Sequence, residues 1–275
     1  MIIKQKKKYA LIIIGGGSAG IAAAISSARQ NIKVALIEQR PVLGGNSSKE
    51  IGVHLTGSTR NVNTAYSRES GIIENLKLEN LYQNPQGNLE LWNVVLKNAV
   101  KEQKNLDVFL NTNITEVITD KSKIIKVKGD ILGSEKKIEF KAPFFVDSTG
   151  DGTIGYLAGA KYRMGRESKN KYNESEAPEK TESYTMPSSL LFRIKKTNYP
   201  VDFIKPCWAY KFTEEDLENY NHKLQENKSH FSWIEWGGEH DIIKDNEEIR
   251  TELEKILYGI WDHLKNGSEH REKYK

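Results

Sequence analysis

Gly15-x-Gly17-x-x-Gly20 stands between the apolar run Tyr9–Ile14 and the alanine-rich stretch Ser18–Arg29, and Glu38 closes the next apolar run. Residues of these types at this spacing bind a diphosphate and the sugar beside it. Gly15 permits a tight turn, Gly17 lets the backbone come against a pyrophosphate, and Gly20 lets a helix pack closely on a strand. The free N–H groups at the helix start, with its partial positive end, face the phosphate oxygens. Glu38 accepts hydrogen bonds from ribose hydroxyls. A glycine-rich turn with no ligand is the plain alternative. The strand before, the helix after and the acid at the end of the following strand argue against it.

Two further glycine-bearing turns lie downstream, Leu43-Gly44-Gly45-Asn46-Ser47-Ser48 and Asp147-Ser148-Thr149-Gly150-Asp151-Gly152. Other reactive types are more scattered. His54 could act as an acid or base, although a loop histidine is commonly just solvated. Arg60 and Arg68 could hold a carboxylate, with surface ion pairing as the simpler role. Glu239, His240 and Asp241 are metal-ligating types, but neighbours on a strand point to opposite faces and converge poorly. Trp233 and Trp236 read as packing residues before pocket residues. Cys207 is the only cysteine, so no disulfide, thiolate zinc site or iron–sulfur cluster can be built within the chain, and no metal is expected.

The elements that position these residues follow from periodicity. Tyr9–Ile14 is a short continuous apolar run, the pattern of a strand covered on both faces. Ser18–Arg29 reads as a helix and Lys33–Glu38 as a second strand, giving a βαβ unit. Residues Pro41–Arg68 read as a long loop, Leu91–Gln103 as a helix. Asp107–Leu110, Ile114–Thr119, Lys123–Val127, Lys137–Phe140 and Phe144–Asp147 read as strands, the middle ones as a meander. Asn170–Pro187 is polar and reads as surface. Ser188–Ile194 and Trp233–Trp236 read as strands of a second region. Asn246–Leu264 is an amphipathic helix, with Asp245 as N-cap and Gly267 as a C′ stop. The last residues read as frayed.

Composition narrows the function classes. In 275 residues the net charge is +4, and Lys4, Lys6, Lys7 and Lys8 account for all of it. They read as a solvated leader, not a basic surface for nucleic acid. The lysines and the apolar run imitate a secretion signal, but Gly15–Gly17 interrupts it. No stretch reaches a membrane-spanning length. Cytoplasmic location, a small-molecule substrate and no nucleic-acid or membrane partner are expected.

With these residues in view, the chain resembles the FAD-dependent oxidoreductases of the two-dinucleotide-binding-domain type, with heterodisulfide-reductase-like flavoprotein subunits as relatives. The resemblance rests on the glycine fingerprint with Glu38, on Gly44-Gly45, and on Thr149-Gly150-Asp151-Gly152 with Gly159-Ala160. Arg68-Glu69-x-Gly71-Ile72-Ile73-Glu74, Gly165-Arg166-Glu167-Ser168, Trp233–Gly238 and Trp261-Asp262 extend it over nearly the whole sequence. It implies an α/β fold: an FAD/NAD(P)-binding Rossmann-like parallel sheet with a β-meander, plus a second α+β capping region. The implied division is 1–165 for FAD, with 47–84 an excursion toward the cap, and 166–275 for substrate and capping. It also implies that Gly15, Gly17, Ser18, Ala19 and Gly20 line the pyrophosphate and Glu38 holds the adenosine ribose. Gly45, Asn46 and Ser47 approach the pyrophosphate and flavin end, Ile114 meets adenine through its backbone, and Thr149, Gly150 and Asp151 lie against the cofactor.

The implied activity is transfer of a hydride or electron pair between an organic substrate and FAD; no catalytic side chain is assigned. The sequence departs from the family in two ways. It has no redox cysteine pair, and no Gly-Asp dipeptide follows Gly152 to meet the ribityl chain. A missing C-terminal segment or partner subunit is the expectation drawn from the second. An NAD-dependent dehydrogenase and a non-catalytic nucleotide-binding fragment are the alternatives.

Overall fold

The computed structural model describes residues 3–55, 68–192, 194, 196–218, 234–267 and 270–274. The chain divides into two compact units, Met1–Tyr162 and Arg163–Lys275.

The first unit is built on two four-stranded sheets. Its elements are β1 (Ile3–Lys8), β2 (Leu11–Ile14), α1 (Ser18–Arg29), β3 (Val34–Ile37), α2 (Gly71–Gln83) and α3 (Leu89–Lys101). These are followed by β4 (Leu106–Phe109), β5 (Thr112–Asp120), β6 (Lys123–Ile131), β7 (Lys136–Lys141), β8 (Phe144–Asp147) and α4 (Thr153–Leu157). One sheet has the order β4-β3-β2-β8 with every pair parallel. The other has the order β1-β7-β6-β5, antiparallel except where β1 joins β7.

The apolar runs of β2 and β3 are explained by what covers each face. Ile13, Val34 and Leu36 pack with Ile21, Ile25, Trp92, Val95 and Leu96 from α1 and α3. Ile12, Ile14, Ala35 and Ile37 pack on the opposite face with Val127, Ile138 and Phe140 of the meander. Successive side chains of a strand point to opposite faces, so a strand between helices and a second sheet must be apolar at every position.

Two expectations change here. The lysine-rich N-terminus is a strand, not a free leader: β1 pairs in register with β7 from Ile3↔Lys136 to Lys8↔Lys141. Lys6, Lys7 and Lys8 keep their side chains exposed, so their composition reported solvation while the backbone satisfied itself at a sheet edge. Residues 71–83, within the segment expected to leave toward a cap, form α2. It packs on α1 and α3 and buries Leu76 in the helix-side core.

In the second unit, α5 (Lys169–Tyr172) is followed by β9 (Ser188–Leu190), β10 (Ile234–Trp236), α6 (Asn246–Asn266) and α7 (Arg271–Tyr274). β9 and β10 form an antiparallel pair. They pack with the apolar stripe of α6, in which Ile249, Leu253, Ile260 and Leu264 are buried. The ends of α6 differ from expectation. Asp245 makes no side-chain cap, and its carboxylate instead accepts the Asp241 N–H at 3.0 Å. Gly267 has φ −65°, not the left-handed conformation of a C′ glycine. A glycine is needed there because a Cβ would stand 2.3 Å from the His263 carbonyl oxygen. The expected frayed end is α7, preceded by the buried His270.

Candidate cofactor site

The carboxyl ends of β2, β3 and β8 open onto one cavity of about 520 Å³, within the range of about 300–1,000 Å³ found for small-molecule and cofactor sites. In parallel α/β sheets this is the edge where ligands bind.

The first turn is fixed by its neighbours. Gly15 N–H donates to the Ile37 carbonyl at 2.8 Å, and Ser148 N–H donates to the Ile14 carbonyl at 2.7 Å. Gly15 has φ +103°, and a Cβ there would lie 2.1 Å from the Ser148 carbonyl oxygen. At Gly20 a Cβ would lie 1.9 Å from the Gly15 carbonyl oxygen. Both glycines are therefore required by the protein's own packing.

Gly17 is different. Its φ is −71°, open to any residue, and the nearest atom to an added Cβ is Gly45 Cα at 4.0 Å. Neither backbone conformation nor packing demands a glycine, and the position lines the cavity. The bare backbone there leaves room for a ligand to lie against the turn.

The second glycine turn lies beside the first. Gly44 N–H donates to the Gly16 carbonyl at 2.8 Å. Asn93 of α3 donates to the Leu43 carbonyl at 2.8 Å and accepts the Lys49 N–H at 2.7 Å, fastening the loop to the helix. Ser47 Oγ donates to the Gly44 carbonyl at 2.9 Å.

Glu38 is buried and lines the cavity. Its Oε2 accepts the Gly16 N–H at 2.6 Å and its Oε1 accepts the Arg40 N–H at 2.9 Å. A carboxylate has about four acceptor positions, so these two bonds orient it and leave capacity for sugar hydroxyls. Arg40 also lines the cavity, and its Nη1 is buried without a hydrogen-bond partner among the described residues. A buried guanidinium donor beside a cavity calls for an acceptor from a ligand or water.

The third turn is organised by Asp147. Its Oδ1 accepts Thr149 Oγ1 at 2.7 Å and Thr149 N–H at 3.1 Å, and its Oδ2 accepts the Gly155 N–H at 2.9 Å. Burial pushes the Asp147 carboxyl up, but these donors and the Ile154 N–H outweigh it and hold it below the usual carboxylate range. Thr149 Oγ1 accepts the Thr153 N–H at 2.9 Å, tying the turn to α4.

Gly15, Gly17, Ser18, Glu38, Gly45, Asn46, Ser47, Ile114, Thr149, Gly150 and Asp151 all line this one cavity. Ala19 is exposed and Gly20 is buried in the first turn of α1 against Gly15, so neither belongs to the lining. The sequence reading does not single out Arg40 or Asn93, and it names Asp147 only as the first residue of the third turn. Arg40 follows Glu38 by two residues, a position at which a basic side chain could have been flagged. Nothing local marks Asn93.

His54 lines both this cavity and a neighbouring one of about 450 Å³. Arg68 lines the second and pairs with Glu74 at 3.0 Å. Arg60 and Trp233 lie outside the described residues. In the second unit, the His240 ring rests on Trp236 at 4.7 Å, Asp241 Oδ1 accepts the Ile243 and Lys244 N–H groups, and Cys207 is exposed. Glu239, His240 and Asp241 do not converge.

The glycine turn, the acid at the end of the neighbouring strand and the parallel sheet beneath them define a dinucleotide-binding α/β protein. The sequence model of the family described as FAD dependent oxidoreductase matches residues 10–274, and the chain belongs to that family. Its cofactor is FAD, and the open position at Gly17 and the unpartnered Arg40 Nη1 fit such a group.

Two curated relatives carry the name tRNA uridine 5-carboxymethylaminomethyl modification enzyme MnmG, one from Mycoplasma capricolum and one from Mycoplasma mycoides. Each is 27% identical over 153 residues, 46% of this chain and 24% of the relative. The chain thus spans about a quarter of the length of the curated relatives it matches. Among solved structures, L-proline dehydrogenase from P. horikoshii aligns at 24% identity over 53% of this chain and 23% of that one, with a TM-score of 0.33. A complex of Sdh1 from Mycobacterium smegmatis aligns at 19% identity over 53% of this chain and 34% of that one, with a TM-score of 0.38. Among the described residues, no helix is long and apolar enough to cross a membrane.

Proposed function

We propose that the first unit holds FAD across the three glycine turns and that the chain serves transfer of a hydride or electron pair between an organic substrate and the flavin. The flavin supplies the redox chemistry; the protein supplies binding, orientation and electrostatics. The N–H groups at the start of α1 and the bare Gly17 backbone receive the pyrophosphate, Glu38 holds the ribose, and Arg40 offers a donor to the same ligand. The turn held by Asp147 sets Thr149, Gly150 and Asp151 against the cofactor.

Gly17 carries this reading, as a glycine that only a ligand requires. The test is to purify the chain and its Gly17→Val variant, record the flavin absorption bands, and identify the released cofactor by mass. The wild type retains FAD; the variant, checked for folding by circular dichroism, loses most of it. Full flavin retention by folded Gly17→Val would refute the assignment, and a released nicotinamide dinucleotide would move the chain to the dehydrogenase class.

A further inference from the structure

The second unit brings together three metal-ligating side chains from distant parts of the sequence. Glu214 lies 49 residues before His263 and 56 before His270. Glu214 Oε2 stands 2.9 Å from His263 Nε2 and 2.8 Å from His270 Nε2, and the three donor atoms lie within 4.8 Å of one another. Both histidine side chains are at least nine-tenths buried, at 8% and 10% exposure. Glu214 is half-buried.

The proton positions on the histidines decide what this arrangement favours. His263 Nδ1 faces the Phe212 carbonyl oxygen at 3.2 Å. A carbonyl only accepts, so this nitrogen carries the hydrogen. With that hydrogen on Nδ1, Nε2 is the ring nitrogen that faces the Glu214 carboxylate, and either a proton or a cation can stand between the two. Convergence of a second imidazole nitrogen on the same carboxylate oxygen gives three donor atoms around one point, which a single cation can serve at once. The backbone carbonyl on the far ring nitrogen is also the support that metal-bound histidines ordinarily have, since it fixes the tautomer and ring orientation. Ligand atoms about 2.1 Å from one ion stand about 3 Å apart at right angles and about 3.4 Å apart at tetrahedral angles; the two gaps here are near the first value and would widen for a tetrahedral ion.

We infer that Glu214 Oε2, His263 Nε2 and His270 Nε2 form a binding site for one divalent transition-metal ion, zinc or iron(II) in class. Two imidazoles and one carboxylate suit such ions better than magnesium or calcium, which take oxygen ligands. Three protein ligands leave coordination positions for solvent. The ion joins the segment at Glu214 to α6 and to the residue that leads into α7, three pieces that the sequence alone does not connect.

The test uses the full chain, stripped with a chelator and titrated calorimetrically with zinc chloride. His270→Gln and Glu214→Gln remove ligands, and His240→Gln serves as a histidine control away from the cluster. The wild type and His240→Gln bind one zinc per chain, and the two ligand variants bind at least about tenfold more weakly. Zinc X-ray absorption on the wild type reads the imidazole count without any variant, and two imidazoles are expected. Absence of stoichiometric binding, equal affinity in the ligand variants, or a zinc spectrum without imidazole would overturn the site and leave the cluster as a proton-sharing one.

Discussion

Gly15 and Gly17 are two residues apart and are glycines for unrelated reasons. The first is set by a φ of +103° and by the Ser148 carbonyl oxygen; the second has an ordinary backbone and free space beside it. Alanine therefore separates the two roles. Gly15→Ala should destabilise the chain by about 2 kcal/mol or more, from forced close contact and a strained backbone. Gly17→Ala should cost at most about 1 kcal/mol, the difference between glycine and alanine at an N-cap, yet weaken flavin binding. Urea midpoints read the first quantity and flavin titration the second; equal midpoints for both variants would contradict this division. Asp147 adds a pH dependence. Its carboxyl is held below the ordinary range, so the unfolded chain takes up the proton more readily. Its contribution is complete above the unfolded value of about 3.9 and is lost as pH falls through the folded value. The gap in urea midpoint between wild type and Asp147→Asn should be present at neutral pH and narrow in acid, and a gap that stays constant would refute this account.

At the level of elements, the cofactor turns depend on helices that do not themselves touch the cavity through most of their length. α3 holds the second glycine turn through Asn93, and α3 is started by Asn88, whose side chain accepts the Glu90 and Leu91 N–H groups at 2.8 and 3.2 Å. Asn88→Ala should cost about 1 kcal/mol of stability by leaving those donors without a cap, measured as a lower midpoint in urea. If the midpoint is unchanged, solvent replaces the cap fully. The same element shows what local reading can deliver. Val95, Leu96 and Val100 recur at helical spacing and made the helix readable, whereas α2, with Leu76 its only deeply buried apolar side chain, gave little periodic signal. β1 was unreadable for a related reason: an edge strand stabilised by backbone pairing with β7 need not carry an alternating apolar pattern.

Among the described residues three apolar clusters form, one on each face of the parallel sheet in the first unit and one around α6 in the second. The described residues that line the cavity all belong to the first unit. Ligand binding to the folded state stabilises it by mass action, about 2.7 kcal/mol at a hundredfold excess over the dissociation constant. Added FAD should therefore raise the thermal unfolding midpoint of flavin-stripped protein in a concentration-dependent way, followed by circular dichroism. A midpoint insensitive to FAD would mean that the described cavity does not take the cofactor.

The sequence by itself determined the βαβ unit, the glycine turn and its acidic partner, because those signals are local: a strand, a turn and a helix are written in consecutive residues. It also brought the residues of three distant turns under one reading through family resemblance. Only the tertiary structure decided that Arg40 lines the cavity and buries a nitrogen without a partner among the described residues, that Asn93 fastens the second turn, and that Glu214, His263 and His270 converge. Each of these depends on how separate elements come together, and side chains brought near one another across 49 to 56 residues leave no periodic trace in the chain that carries them.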